Sequence, residues 1–308
     1  MNSKIALVNS LKNISTEGQN PETLDIDLLN SLGVLLKINA EDKKVATIVG
    51  QLLPEIAIGV DYIVDAFANN GRLIYIGAGT SGRLGVLDSV ECPPTFSVSS
   101  EQVVGILAGG ASAMYKAVEG AEDDKALAIT DLKAINLSAN DVLVGIAASG
   151  RTPYVLSAMA FAKEQGCKVI GISCSKNDNF AKHLDVNLCA VVGAEALTGS
   201  TRMKSGTAQK LILNMLSTAS MIRSGKSYKN LMIDVNASNE KLYARALRIV
   251  MQATECDFKT AEEALAKANN QTKLASLMVL TGLDVEQAKA ALATNHGFLR
   301  KAAEQQGS

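Results

Sequence analysis

The stretch Leu73-Ile74-Tyr75-Ile76-Gly77-Ala78-Gly79-Thr80-Ser81-Gly82-Arg83 decides the fold. Its four apolar residues in a row are too short a run for a core helix. They suit a strand buried on both faces. The run then opens into glycines and hydroxyls. Glycine lets the backbone turn tightly and approach a ligand. Thr80 or Ser81 can cap the helix that follows, and the free N–H groups and positive dipole end of that helix favour an anion.

Outward from this point the pattern repeats. Apolar runs at 103–107, 142–147, 169–172 and 186–192 are separated by helical stretches. That alternation predicts an α/β fold, a parallel sheet flanked by helices on both faces. Upstream, Val45, Ile48, Val49, Leu52, Ile56, Val60, Ile63, Val64 and Phe67 recur at helical spacing over 39–69, with Pro54 dividing the run. Residues 1–38 read as an arm, with a loop at 16–21. Downstream, a long helix is expected over 203–223, stopped by Ser224-Gly225. From Glu240 onward the pattern is helical only, with turns at 281–284 and 295–297. The expected organisation is an N-terminal arm and helix (1–62), a sheet domain (63–226) and a small all-helical domain (240–308).

A second loop, Ser149-Gly150-Arg151-Thr152-Pro153, follows the run at 142–147. Pro153 suits a first helical position and Thr152 a cap. A third hydroxyl cluster, Thr198-Gly199-Ser200-Thr201, follows the last apolar run. Open α/β sheets bind ligands outside the carboxyl ends of their strands. The expected phosphate shell is Gly79, Thr80, Ser81, Ser149, Gly150, Thr152, Ser200 and Thr201, with Arg151, Arg202 and Lys204 as possible charge partners. Neither glycine loop fits G-x-x-x-x-G-K-[ST], which disfavours nucleoside triphosphate hydrolysis. Hydroxyls and amides suit a phosphate monoester that must be released, each charge-assisted bond contributing roughly 1.5–3 kcal/mol.

Composition narrows the function classes. Net charge is −1 and aromatic residues make up 4% of the 308, with no Trp. A basic surface for nucleic acid and base-stacking platforms are therefore not expected. Lys4 and Lys12 lie near the start, but the apolar runs there are too short for a signal peptide, and no run is long enough to span a bilayer. The five cysteines, odd in number and without a C-x-x-C pair, read as reduced packing residues of a cytoplasmic protein. His183 and His296 lack metal-ligand spacing, so no metal site is expected.

The two loops resemble those of sugar isomerase (SIS) domains. Three segments are more specific: Gly77-Ala-Gly-Thr-Ser-Gly-Arg-Leu-Gly-Val-Leu-Asp running into Glu91-Cys-Pro-Pro-Thr95, Val118-Glu-Gly-Ala-Glu-Asp123, and Gly199-Ser-Thr-Arg-Met-Lys-Ser-Gly-Thr-Ala-Gln-Lys210. Together they resemble the N-acetylmuramic acid 6-phosphate etherases of bacterial cell-wall recycling, over nearly the whole chain. The resemblance implies an SIS domain, doubly wound and flavodoxin-like, with a three-helix, UBA-like C-terminal unit, a homodimer and no cofactor. It also implies a reaction yielding N-acetylglucosamine 6-phosphate and D-lactate. Its two catalytic carboxylates fall on Glu91 and Glu122. Elimination followed by hydration needs one protonated and one ionised carboxylate at the same pH; Glu91 is assigned as the acid toward lactate and Glu122 as the base at carbon 2.

The residues add their own reading. Glu91 precedes Cys92-Pro93-Pro94, where a helix is expected to stop. Glu122 is expected to open a helix with Asp123 and Asp124, where the plain alternative is dipole compensation. Ser81 and Glu91 lie ten positions apart, about 15 Å if helical. Glu91 therefore either bends back through the Cys-Pro-Pro turn or serves a partner subunit's site. Ala147 and Ala148 stand where many SIS domains carry a hydroxyl. Three rivals share the fold: a non-catalytic sensor like the regulator of glucokinase, an aldose–ketose isomerase, and a sugar-phosphate-responsive transcription regulator. The first would need two SIS domains, the second would lack both glutamate motifs, and the third would need a basic helix-turn-helix.

Overall fold

The computed structural model describes residues 15–235 and 240–306. Five strands, β1 (Leu73–Gly77), β2 (Val103–Leu107), β3 (Val142–Ile146), β4 (Lys168–Ser173) and β5 (Val186–Cys189), form one parallel sheet in the order β2-β1-β3-β4-β5. The chain steps from β1 out to β2, then returns to β3 on the other side of β1. The winding reverses between β1 and β3, the position where such sheets bind ligands. All residues of β1 and β3 are buried, which is why their sequences run apolar without alternation.

The helices of this part are α1 (Ser31–Gly50), α2 (Leu53–Ala68), α3 (Gly79–Phe96), α4 (Lys125–Ala134), α5 (Pro153–Glu164), α6 (Asp178–Ala181) and α7 (Lys204–Arg223). Tyr75, Val144 and Ile170 are register partners and share one face of the sheet. On that face α2 approaches Ile170 at Gly59, and α3 approaches Tyr75 at Gly85. The opposite face, with Ile74, Ile76, Leu143 and Val169, packs on Ala128 and Leu132 of α4 and Val155 and Met159 of α5. Sequential strands joined through helices on both faces give the doubly wound arrangement.

Three local features differ from the sequence reading. First, α1 begins at Ser31 rather than near 39, capped by the Asn30 side chain, which accepts from Gly33 N–H. Its first two turns carry Leu32, Leu35 and Leu36 at helical spacing, each more than 60% exposed. Pro54 sits in the first turn of α2, and the two helix axes meet at 61°. Second, the expected loop at 16–21 overlaps two short 3₁₀ turns, Ser15–Glu17 and Pro21–Thr23. Ser15 Oγ lies 2.9 Å from Ser175 Oγ, Asn20 donates to Ala194 O, and Thr23 donates to Ala196 O at 2.9 Å. Residues 1–14 of the expected arm, with Lys4 and Lys12, lie outside the described residues. Third, α3 does not stop before Pro93 but continues through Pro94 to Phe96. Cys92 and Phe96 are buried, and Ser97 N–H closes on Pro93 O, so packing holds the last turn against its lost donors.

The described residues divide into two compact units: one with residues up to Val90 and Glu101–Ser217, the other with Glu91–Ser100 and the chain from Thr218 onward. The second unit contains five helices where three are expected: α8 (Glu240–Thr254), α9 (Phe258–Lys267), α10 (Thr272–Thr281), α11 (Val285–Thr294) and α12 (Leu299–Gln306). Val250, Leu265, Leu277, Ala288 and Leu299 are in its core. The additional breaks come from left-handed Glu255, Asn269 and Asn270, and from Asp257, whose carboxylate caps α9. Among the described residues no single helix is long and apolar enough to cross a membrane. All five cysteines are free thiols; Cys92, Cys167 and Cys174 are buried. Burial raises the Cys174 thiol to about 12 and the Cys167 thiol to about 11.

Candidate active site

The first two hydroxyl loops leave adjacent strands in register, with Gly77 opposite Ile146. The first closes over its own backbone. A Cβ on Gly82 would stand 2.5 Å from Gly77 O, and one on Gly77 would stand 2.7 Å from Gly82 N, so only hydrogen fits at either position. Gly79 has φ +53° and open space beside it. Because α3 starts at Gly79, Thr80 and Ser81 lie in its first turn rather than capping it. Ser81 is buried, and its hydroxyl donates to Gln209 Oε1 at 2.9 Å.

In the second loop Gly150 has φ +65°, and Asn177 Nδ2 donates to its carbonyl. Ser149 Oγ accepts from Arg151 N–H at 3.2 Å. Pro153 is the first residue of α5, as expected, but the preceding Thr152 makes no side-chain cap bond. The Thr152 hydroxyl therefore leaves the first amides of α5 to another acceptor, a position that suits an anion. Arg151 and Arg202 are exposed, and Ser200 and Thr201 are half-buried. The turn carrying Ser200 and Thr201 leads into α7, where Gly206 lies against Thr80.

Lys204 belongs to a different structure from the one its sequence neighbours suggest. It is 2% exposed, and its ammonium lies 2.5 Å from Glu41 Oε2 on α1. Lys44 reaches the other oxygen of Glu41 at 2.5 Å. Burial acts to raise the Glu41 carboxyl; hydrogen bonds from Lys204 and Lys44 outweigh it and hold the group down at about 2. Lys204 thus joins α1 to the start of α7 through a buried ion pair. Beside it, fully buried Glu195 accepts from Lys204 N–H at 2.8 Å, Ser205 N–H at 2.9 Å and Ser205 Oγ at 2.8 Å. That carboxylate satisfies the orphan amides of α7 from outside the helix.

A cavity of about 230 Å³ opens beside the first loop, lined by Ala78, Gly79, Arg83, Ala108, Ala113 and the 117–122 segment, including Glu122. Glu122 does not open an α-helix. It lies exposed in a short 3₁₀ turn, Ala121–Asp123, behind left-handed Gly120. The capping role falls to Asp124, which accepts from Ala126 and Leu127 N–H, both at 2.9 Å. Dipole compensation at α4 is therefore Asp124's work, and Glu122 is one of the residues that line the cavity with Gly79. Arg83 sets this wall: Nε donates to Ala113 O and Met114 O, and Nη2 to Ala113 O at 2.7 Å. Glu91 is exposed on the body of α3, ten positions beyond Ser81, in the segment that belongs with the second unit. The sequence reading missed Glu41, Glu195, Gln209 and the part played by Arg83. Among the described residues no three His, Cys, Asp or Glu side chains gather as a metal site.

Three family models match the chain: the glucokinase regulatory protein N-terminal SIS domain over residues 55–163, the SIS domain over 117–219, and the C-terminal lid domain of glucokinase regulatory protein over 229–277. An N-acetylmuramic acid 6-phosphate etherase of Colwellia psychrerythraea is 82% identical over 100% of both chains. One of Pseudoalteromonas atlantica is 58% identical over 98% of both. One of Vibrio atlanticus is 59% identical over 97% of this chain and 98% of its own. Among solved structures, a phosphoheptose isomerase from Francisella tularensis superposes with a TM-score of 0.49 at 18% identity, covering 63% of this chain and 100% of that one.

Proposed function

This chain belongs to the N-acetylmuramic acid 6-phosphate etherase family, and from that premise we propose that it cleaves the D-lactyl ether of N-acetylmuramic acid 6-phosphate. The products are N-acetylglucosamine 6-phosphate and D-lactate, and the setting is cell-wall recycling. The observation that carries this reading is 82% identity to an etherase along the entire length. The regulator-type domain models favour a phosphosugar-sensing rival, but each matches only part of the chain.

An ether oxygen leaves poorly, so the sugar does the activating. The ring opens, and the free aldehyde acidifies the carbon-2 proton. One carboxylate takes that proton as the carbon 2–carbon 3 double bond forms and the carbon 3–oxygen bond breaks. The other gives a proton to the departing lactate oxygen. Water then adds its hydroxyl to carbon 3 and a proton to carbon 2, so the net change is hydrolysis. Glu122 acts as the base: it shares a cavity with Gly79, beside the loop that receives the phosphate. Glu91 acts as the acid toward lactate. The phosphate is held by the α3 and α5 N-terminal turns, through Gly79, Thr80, Ser81, Ser149, Gly150 and Thr152, with Ser200 and Thr201 at its edge.

The acting form in this reading is a homodimer. Leu28, Leu32, Leu35 and Leu36 form an exposed apolar stripe along and before α1, which a second copy would cover. With α3 continuous through Pro93, Glu91 has no turn by which to fold back, so it serves the partner's site. A cytoplasmic setting fits the free thiols and the phosphorylated substrate.

The deciding assay is D-lactate release from N-acetylmuramic acid 6-phosphate in ¹⁸O water. The label should enter the sugar and be absent from lactate; no lactate, or labelled lactate, would overturn the reading. Mixing Glu91→Ala with Glu122→Ala chains should restore about a quarter of the activity if sites are shared across a two-fold dimer. No restoration would refute the shared site.

A further inference from the structure

Gln209 lies on the second turn of α7, 1% exposed, and takes part in none of the steps above. Its Oε1 accepts the Ser81 hydroxyl proton at 2.9 Å, while its Nε2 is buried without a hydrogen-bond partner. A buried amide N–H₂ with nothing to donate to is uncommon, since burying such a donor unpaired is unfavourable. The arrangement also has a second cost. Ser81 has one proton, and as long as it points at Gln209 it cannot be given to a phosphoryl oxygen.

One rotation removes the second difficulty. If the Gln209 amide turns over about its last bond, Nε2 occupies the position 2.9 Å from Ser81 Oγ and donates to it. Ser81 then accepts from Gln209 and is free to donate outward. The buried atom left without a partner changes from the nitrogen to the oxygen, and one hydrogen bond to Ser81 is kept in either orientation. The gain is a new hydrogen bond to an anion, and hydrogen bonds to charged groups are the stronger class. We propose that Gln209 is the positioning residue of the phosphate loop, its amide setting the direction of the Ser81 O–H bond so that the loop binds a phosphate monoester. This rests on the phosphosugar reading above and deepens it. Gln209 acts through Ser81 and touches no reacting atom.

Substitution and spectroscopy test the proposal independently. In Gln209→Glu the side chain keeps its shape, and its ionised form only accepts, so Ser81 must donate inward. KM for N-acetylmuramic acid 6-phosphate should rise about 10- to 100-fold, the range a lost charge-assisted bond gives. The kcat should stay within a few-fold, and the rise should be clearly smaller in a Ser81→Ala background, because only the part that acts through Ser81 is lost there. An unchanged KM in a folded Gln209→Glu protein, or an equal rise on Ser81→Ala, would overturn the proposal. The wild-type chain supplies a readout that survives if Gln209→Glu does not fold. With ¹⁵N labelling, the Gln209 side-chain N–H₂ resonance, assigned by its loss in Gln209→Met, should shift with N-acetylglucosamine 6-phosphate and not with N-acetylglucosamine. A shift with both sugars, or with neither while the phosphosugar is bound, would refute it. Failure of the etherase reading looks different: the wild-type protein would release no lactate, whatever the resonance does.

Discussion

Lys204→Met separates two readings of one residue. Its place beside Ser200 and Thr201 in sequence suggests a cation for the substrate phosphate, whereas its place in the fold is a buried ion pair with Glu41. The size of the structural effect follows from Glu41. Its carboxyl is held at about 2 against an ordinary 4.5; at roughly 1.4 kcal/mol per pH unit, its ionised state is favoured by about 3 kcal/mol. Lys44 still holds one oxygen in the variant, but its side chain is 52% exposed, so its share is small. Removing one member of a buried pair also strands the other. A loss of about 2–3 kcal/mol is expected at pH 7, or about 5–10 °C in Tm.

The pH dependence carries the sign. A carboxyl depressed in the folded state stabilises fully above its unfolded value, and the contribution is lost as pH falls through the folded value. The wild-type advantage over Lys204→Met should therefore hold at pH 5–7 and shrink between about 4.5 and about 2. The assay is thermal unfolding of both proteins across that range, with KM measured at pH 7. A variant with unchanged Tm and a tenfold higher KM would refute the structural reading and return Lys204 to the substrate.

Three further outcomes follow from the cavity and its loop. Arg83→Met deletes the bonds to Ala113 O and Met114 O that fix the wall carrying Glu122. It should lower kcat about 10- to 100-fold with a smaller change in KM, because misplacing a catalytic group by about 1 Å costs that much. Faster amide exchange over 111–123 would locate the loosening, and an unchanged kcat would count against it. Glu122→Gln should cut lactate release about 10²–10⁴-fold and abolish deuterium uptake at carbon 2 in D₂O, with the fold retained by circular dichroism; uptake that persists would assign the base elsewhere. Gly82→Ala puts a methyl 2.5 Å from Gly77 O, a backbone atom that cannot swing aside. It should destabilise by about 1–3 kcal/mol and abolish calorimetric binding of N-acetylglucosamine 6-phosphate; intact binding would show that the turn does not contact phosphate.

The sheet was legible because burial on both faces forces unbroken apolar runs. The run at 103–107 coincides with β2, and 142–147 overshoots β3 by one residue. Loops were legible where glycine and hydroxyl chemistry is local. What could not be read is whatever depends on a distant partner. Glu41 and Lys204 are 163 positions apart, and Ser81 and Gln209 are 128. Each is a polar residue on an ordinary-looking helix, and its burial exists only once helices pack. Pro93-Pro94 misled in the opposite direction: local propensity says stop, and the burial of Cys92 and Phe96 overrides it.

The first two hydroxyl loops look alike in sequence but differ in which protons are spoken for. Ser81 donates to Gln209, and Ser149 accepts from Arg151 N–H, which leaves its own proton available. Thr152 makes no cap bond, so the amides at the start of α5 stay open. In the proposed phosphate site the second loop therefore offers donors that are not already committed, although Ala147 and Ala148 deprive it of the extra hydroxyl. On the Gln209 proposal the first loop turns one amide before Ser81 can contribute. A site with one ready loop and one conditional loop can seat a phosphate on the first contact and tighten on the second, and release needs only the reverse turn of Gln209. For an enzyme whose product keeps the same 6-phosphate as its substrate, that is a physical reason for leaving a buried amide half satisfied.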